Sequence, residues 1–320
     1  NYGYTASVQY TVQVATKPDM SDAVELSETS TSAKVAVNAS LLASALTNIY
    51  VEQGKTEADF PMDVKAYLRL KANIVTSNGN VVDGTEILSN IVSLNKIHLL
   101  FSLPPVNLPS HIYVVGNFCD WKFDNCFDMV QVYGTDNTFW RLVYIDESGI
   151  KLNSAQEFNG NEKGYAGITV SGDCKDDIID KDGNIASKNP GWYLVIVTTS
   201  VVNREIHYDV QFNKPTIWLI GPAAGSDDFA EEAEGWSFTV PTTKDGEFVS
   251  PAFVGSVPAG TDKGVRMYVK IPGHDWWHSE FVTLDGKIKY RATGGDQDRA
   301  TGNVGQQVHL NFAKGTGEIK

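Results

Sequence analysis

Ile112-Tyr113-Val114-Val115-Gly116 and Ile217-Trp218-Leu219-Ile220-Gly221 are near-copies of one short apolar run, 105 positions apart. Each leads to a tryptophan, Trp121 within a few residues in the first copy and Trp236 after a longer acidic insertion in the second. Two more landmarks follow: Gly149-Ile150-Lys151-Leu152 matches Gly264-Val265-Arg266-Met267, and Asp182-Gly183-Asn184-Ile185 matches Asp285-Gly286-Lys287-Ile288. Self-similarity at this spacing marks a repeated structural unit, and the short β-rich runs predict two copies of one β-sandwich module. Lys214-Pro215 is the natural joint, which places the modules at 110–213 and 216–320.

Upstream the pattern is again that of strands. Val8 to Val14 (VQYTVQV) alternates apolar and polar with period two, as do Tyr67 to Ala72 and Ile91 to Leu94, the pattern of half-buried strands. Asn38 to Ile49 (NASLLASALTNI) predicts one short helix capped by Asn38. Phe101 to Pro109 holds three prolines and interrupts regular structure as a linker. Residues 1–103 therefore predict a first domain, a seven-strand sandwich of immunoglobulin or fibronectin type III. The fold class is all-β, with three sandwich domains in tandem.

Composition narrows the function. The 320 residues are 42% hydrophobic and 20% charged, with 39 acidic against 26 basic side chains and a formal charge of −13. No run approaches the roughly 20 apolar residues of a spanning helix. A general nucleic-acid binder carries a basic surface, so that partner class is excluded, and anionic lipid surfaces are disfavoured for the same reason. The expected ligand is neutral, or another protein. Cys119, Cys126 and Cys174 are an odd set without a C-x-x-C pair; Cys119 and Cys126 could bridge a loop or be two buried thiols. The start, Asn1-Tyr2-Gly3-Tyr4, has neither a basic nor an apolar leader segment, as expected of a cytosolic protein or of one whose signal has been removed.

The chain carries no nucleophile elbow, zinc-protease motif, phosphate-binding loop or dinucleotide fingerprint. Of six histidines only His274 and His278 lie close, in a strand-rich, glycine-preceded context that argues against a helical metal pair. Lys175 to Asp182 (KDDIIDKD) has the composition of a calcium loop but not its spacing. A glycosidase needs two carboxylates across a cleft, and with this many acids the presence of candidates selects nothing. No catalytic residue, metal or cofactor is expected.

The aromatic residues are more informative. Trp276-Trp277 is an adjacent pair, and neighbours in a strand point to opposite faces, so one ring can fill the core while the other meets a ligand. Fourteen residues after Trp277 comes Arg291, preceded by Tyr290, and then Gly294-Gly295-Asp296-Gln297-Asp298-Arg299. Asp296, Gln297, Arg291 and Arg299 are side chains that read hydroxyls, and an exposed indole suits the apolar face of a pyranose. The competing reading makes the Trp pair core and the loop a solvated turn held by an Asp–Arg pair. In the middle module Glu157-Phe158 stands where Asp275-Trp276 does, and Phe158, Lys163 and Tyr165 could form a second platform. Trp121, Trp140, Trp218 and Trp236 are assigned mainly to cores.

In order and spacing these segments resemble the SusE/SusF surface lipoproteins of starch-utilisation systems. The resemblance spans the chain: Ser21-Asp22-Ala23-Val24 and Ser89 to Leu94 in the first domain, the two Gly-ended runs, and Trp276 to Phe281 with Tyr290-Arg291 and the Gly294–Arg299 loop. It implies a non-catalytic glycan-binding protein, lipid-anchored at the cell surface in the outer membrane, with α-glucan the foremost ligand and an outer-membrane uptake complex as a partner. It also implies Trp277 as the platform and Arg291 as the donor of the last module. The middle module departs from a clear Trp-plus-Arg arrangement. The alternative is a structural or adhesive sandwich protein that binds another protein.

Overall fold

The computed structural model describes residues 7–225, 228–258 and 264–320; the Asn1–Tyr4 start lies outside them. Two compact units result, 1–105 and 106–320.

The first unit carries β1 (Ser7–Ala15), β2 (Val24–Ser30), α1 (Ala39–Glu52), β3 (Met62–Val75), β4 (Ile87–Leu88) and β5 (Val92–Leu99). They form one five-stranded antiparallel sheet, with β3 pairing β1 on one side and both β4 and β5 on the other. This is leaner than the seven-strand sandwich suggested by the strand runs. Leu42, Leu46 and Ile49 of α1 pack with Val12, Val14 and Val64 of the sheet, so a helix covers the face that a second sheet would cover. The helix starts where expected: the Asn38 side chain accepts from the Ser40 and Leu41 amides, satisfying two of its orphan donors.

The second unit contains two sandwiches. The first holds β6 (Tyr113–Gly116), β7 (Phe127–Asp128), β8 (Val130–Gln131), β9 (Thr138–Ile145), β10 (Ile150–Asn153), β11 (Thr169–Ser171), β12 (Ile178–Lys181), β13 (Asn184–Ser187), β14 (Gly191–Val202) and β15 (Glu205–Asn213). Its two five-stranded sheets run β12-β13-β10-β6-β7 and β11-β15-β14-β9-β8. The second holds β16 (Ile217–Ile220), β17 (Phe248–Val249), β18 (Arg266–Val269), β19 (Glu280–Leu284), β20 (Lys287–Tyr290), β21 (Val308–Asn311) and β22 (Thr316–Ile319). These make one seven-stranded sheet, β16-β18-β19-β20-β22-β21-β17.

A sheet buried on both faces reads as a continuous apolar run rather than an alternation. The segment Trp192 to Val197 (WYLVIV) is buried throughout. Tyr193, Val195 and Val197 face the middle module's own core. Trp192, Leu194 and Ile196, with Trp140 and Leu142 on β9, join the core of the last module. Trp192 meets Phe248 at 5.3 Å between ring centroids and Trp140 meets Phe281 at 5.8 Å. The two modules thus share one hydrophobic core, and each buried aromatic ring there contributes about 3–5 kcal/mol by the cost of its truncation.

One repeat landmark is not structurally equivalent. Gly149 and Gly264, at φ 77 and 94, do correspond: a Cβ would fall 2.7 Å from the Ile185 carbonyl at the first and 2.3 Å from Arg299 Cβ at the second. Ile185 lies opposite Ile150, whereas its structural counterpart next to Val265 is Ala300, not Ile288. In the middle module the second strand of the Asp-Gly hairpin borders β10; in the last module the first strand borders β18. An Asp-Gly turn closes any two-residue hairpin, so its recurrence carries no position. The three cysteines are free thiols. Cys119 bonds back to Gly116, and burial pushes the Cys126 thiol up to about 11.

Candidate functional site

Trp276–Ser279 is a 3-10 turn, not part of a strand. Gly273, at φ 78, turns the chain before it, and the buried Ser279 hydroxyl donates to the Val269 carbonyl. Successive side chains of a 3-10 helix diverge by about 120° rather than 180°, so the two indoles project in different directions and both remain half-buried.

Trp276 is built into the module. Its ring stacks parallel on Phe229 at 5.4 Å and meets Tyr268 edge-on, with the Arg266 guanidinium 5.4 Å from its centre. Its backbone N–H donates to Glu231 at 2.7 Å.

Trp277 faces the middle module. It meets Tyr133 edge-on at 5.5 Å, and the Arg291 guanidinium lies 5.2 Å from the Trp277 ring and 4.8 Å from the Tyr133 ring. Tyr133 comes from the turn after β8, 144 positions earlier in the chain. Its N–H donates to the His278 carbonyl at 2.9 Å, and His278 Nδ1 meets the Tyr133 carbonyl. A carbonyl only accepts, so Nδ1 carries the proton. These paired bonds fasten the turn to the Trp276–Ser279 segment.

Beneath Arg291 lies an ion cluster centred on Glu280, which is 3% exposed. Arg299 binds it with both Nε and Nη2, at 2.9 and 3.1 Å. Arg291 Nη1 reaches Glu280 at 3.1 Å and Asp296 at 3.1 Å. Arg299 also holds Asp296 at 3.0 Å, and that hydrogen bond keeps the Asp296 carboxyl below the usual aspartate range. A buried carboxylate demands such partners. The Arg299 side chain is 1% exposed and belongs to the foundation. Arg291 and the half-exposed Asp296 form the upper layer.

The remaining loop residues support that layer. Gln297 donates to the Tyr290 carbonyl. The Tyr290 ring meets Trp140 edge-on at 5.6 Å, and burial raises its phenol pKa. Tyr290 Oη, Gln297 Oε1 and Arg291 Nε are buried without a hydrogen-bond partner among the described residues, a concentration of unmet polar atoms on the segment that carries Arg291.

In the middle module Phe158 is 56% exposed and meets Phe123 edge-on at 4.7 Å. Lys163 lies elsewhere, its ammonium 5.6 Å from the Tyr208 ring, and Tyr165 packs against the module core. The register relates the modules here. Lys163 stands opposite Leu152 on β10, and Phe281 opposite Met267 on β18. Phe158 and Trp276 each precede those residues by five, so Phe158 on Phe123 corresponds to Trp276 on Phe229. The half-buried Trp121, at φ 56, packs on the Phe123 cluster and extends this patch, a residue that the pattern alone assigned to a core. No group of three or more His, Cys, Asp or Glu side chains able to hold a metal ion occurs among the described residues.

Residues 111–209 and 216–318 each match the family described as "SusF/SusE starch specific CBMs", and residues 1–71 match "SusE outer membrane protein". The chain is 34% identical over 239 residues to the outer membrane protein SusF of Bacteroides thetaiotaomicron, an overlap of 72% of this chain and 47% of that protein. It thus spans about half the length of the curated relative it matches. The crystal structure of SusF from the same organism aligns over 100% of this chain and 92% of that one, with a TM-score of 0.58 at 22% identity, a likeness of fold. The chain belongs to the SusE/SusF family of outer-membrane proteins, a carbohydrate-binding and non-catalytic family.

Proposed function

We propose that this protein binds polysaccharide at the cell surface for a glycan-uptake system, with α-glucan as its ligand, and that Trp277 and Arg291 form its principal platform. The proposal takes the chain as three modules, 1–103, 110–213 and 216–320. One observation carries it: a half-buried indole held beside a guanidinium that is anchored from below by a buried carboxylate. The His278 ring lies against the indole at 3.7 Å between centroids, and the part of the indole left exposed is the apolar surface that a pyranose meets. Arg291 and Asp296 supply a donor and an acceptor for hydroxyls at its edge, and Arg291 does not have to be desolvated or ordered on binding because Glu280, Tyr133 and Trp277 already fix it. Trp276, Tyr290, Gln297 and Arg299 hold this surface in place. The Phe158 patch with Trp121 is a second, smaller platform; Lys163 and Tyr165 stand apart from it. The family description, starch-specific, supports α-glucan over other glycans. An outer-membrane uptake complex is the proposed protein partner.

The test is electrophoresis in native gels cast with amylopectin, pullulan, dextran or xylan. Retardation by the α-1,4-linked glucans, lost in Arg291→Ala, is expected. Equal mobility in every gel refutes the reading.

A further inference from the structure

A cavity of about 370 Å³ opens between the two sandwiches of the second unit, away from the Trp277 platform in its lining residues. Phe118, Asp120, Asn125, Phe127 and Trp192 of the middle module line it together with Lys244 of the last. Phe118 and Phe127 stack on each other at 4.5 Å and 15°, while the Arg141 guanidinium sits 4.6 Å from the Phe127 ring, so Phe127 is a fixed wall. The Lys244 loop is tied across the joint by the Trp192 indole N–H, which donates to the Thr243 carbonyl at 3.1 Å. Asp120 and the following Trp121 both hold left-handed backbone, at φ 54 and 56.

We infer that this joint pocket is a further saccharide site, beyond the Trp277 and Phe158 platforms, taking one or two neutral sugar rings. Lys244 only donates, Asp120 only accepts and Asn125 does both; none of the three side chains has an ion pair or hydrogen bond among the described residues. A simple anion is opposed by Asp120 and a simple cation by Lys244. An apolar ligand would strip water from both charges without return. A zwitterion answers the two charges and leaves the aromatic walls unused. Vicinal hydroxyls, each donor and acceptor, on a ring with an apolar face satisfy the whole lining. The volume lies in the range of small-molecule sites. Because Lys244 and Asp120 come from different modules, the pocket exists only while the modules are docked.

The experiment is amide NMR of the whole chain carrying Trp277→Ala and Phe158→Ala, which silence both proposed platforms, titrated with maltotriose. Saturable shifts of the Asp120, Asn125 and Lys244 amides are expected, weakened about tenfold in affinity by Lys244→Met or Asn125→Ala, both substitutions outside the buried core. Stationary amides, shifts equal in both variants, or a stronger response to glycine than to maltotriose overturn the inference. A silent pocket in a protein that still binds polysaccharide through Trp277 refutes this inference alone. Responding pocket amides in a chain whose Trp277 and Arg291 variants bind polysaccharide like the unsubstituted protein refute the platform alone.

Discussion

Replacing Trp277 with alanine separates a binding platform from a core residue. The indole is half-buried, so truncation removes only part of its area from the fold. Lost with it are the packing of the His278 ring at 3.7 Å, the edge-on contact to Tyr133, about 0.5–1.5 kcal/mol, and the contact to the Arg291 guanidinium, about 0.5–1 kcal/mol at a partly exposed position. The sum, about 1–3 kcal/mol with the buried area included, is less than the 3–5 kcal/mol of a fully buried tryptophan, roughly. In a unit of this size each kcal/mol lowers Tm by about 2–4 °C, so a fall of several degrees is expected. Binding suffers more. A millimolar glycan site holds only about 4 kcal/mol in total, and losing about 1–2 kcal/mol of stacking raises Kd about tenfold or more. Melting curves and gel retardation on the same preparation provide both readings. Undiminished retardation, or a drop in Tm as large as that of Trp140→Ala, would show that Trp277 is not the platform.

Trp140→Ala itself removes a fully buried ring from the shared core and should cost about 3–5 kcal/mol, lowering a single calorimetric transition for residues 106–320; two transitions moving independently would contradict a common core. Glu280→Gln leaves the buried Arg299 with only the half-exposed Asp296 as carboxylate partner and should destabilise by about 3 kcal/mol, measured by urea unfolding, whereas a neutral result would remove the cluster's structural role. The depressed Asp296 carboxyl fixes the sign of the pH response. Its contribution is complete above the unfolded value of about 3.9 and is lost as pH falls through the lower folded value. Retardation should therefore be flat from about pH 5 to 8 and weaken only in stronger acid; a decline near neutrality would implicate another group.

Local patterns in the sequence were enough for the strands, the Asn38-capped helix and the repeated Gly-ended runs, because each depends on residues a few positions apart. The direction of the Trp276-Trp277 rings was not, since a Pro-Gly turn converts the expected strand into a 3-10 turn. Arg299 reads as a surface charge in a glycine-rich loop until Glu280 is found beneath it. The hint was Glu280 itself, a lone acid beside the apolar run Phe281-Val282, where an unpaired charge is untenable. Tyr133 left no local signal at all. It reaches the site only because the WYLVIV strand is apolar on both faces and docks one module on the other. The Asp-Gly repeat misleads for the opposite reason: hairpin chemistry recurs wherever two strands turn tightly.

The most direct test is the position of a bound maltoheptaose, located by crystallography or by intermolecular NOEs to the indole protons. A glucose ring should lie against the exposed part of Trp277, with hydroxyls at Arg291 and Asp296. A bound oligosaccharide that leaves Trp277 bare, or no occupancy there at saturating ligand, would contradict it.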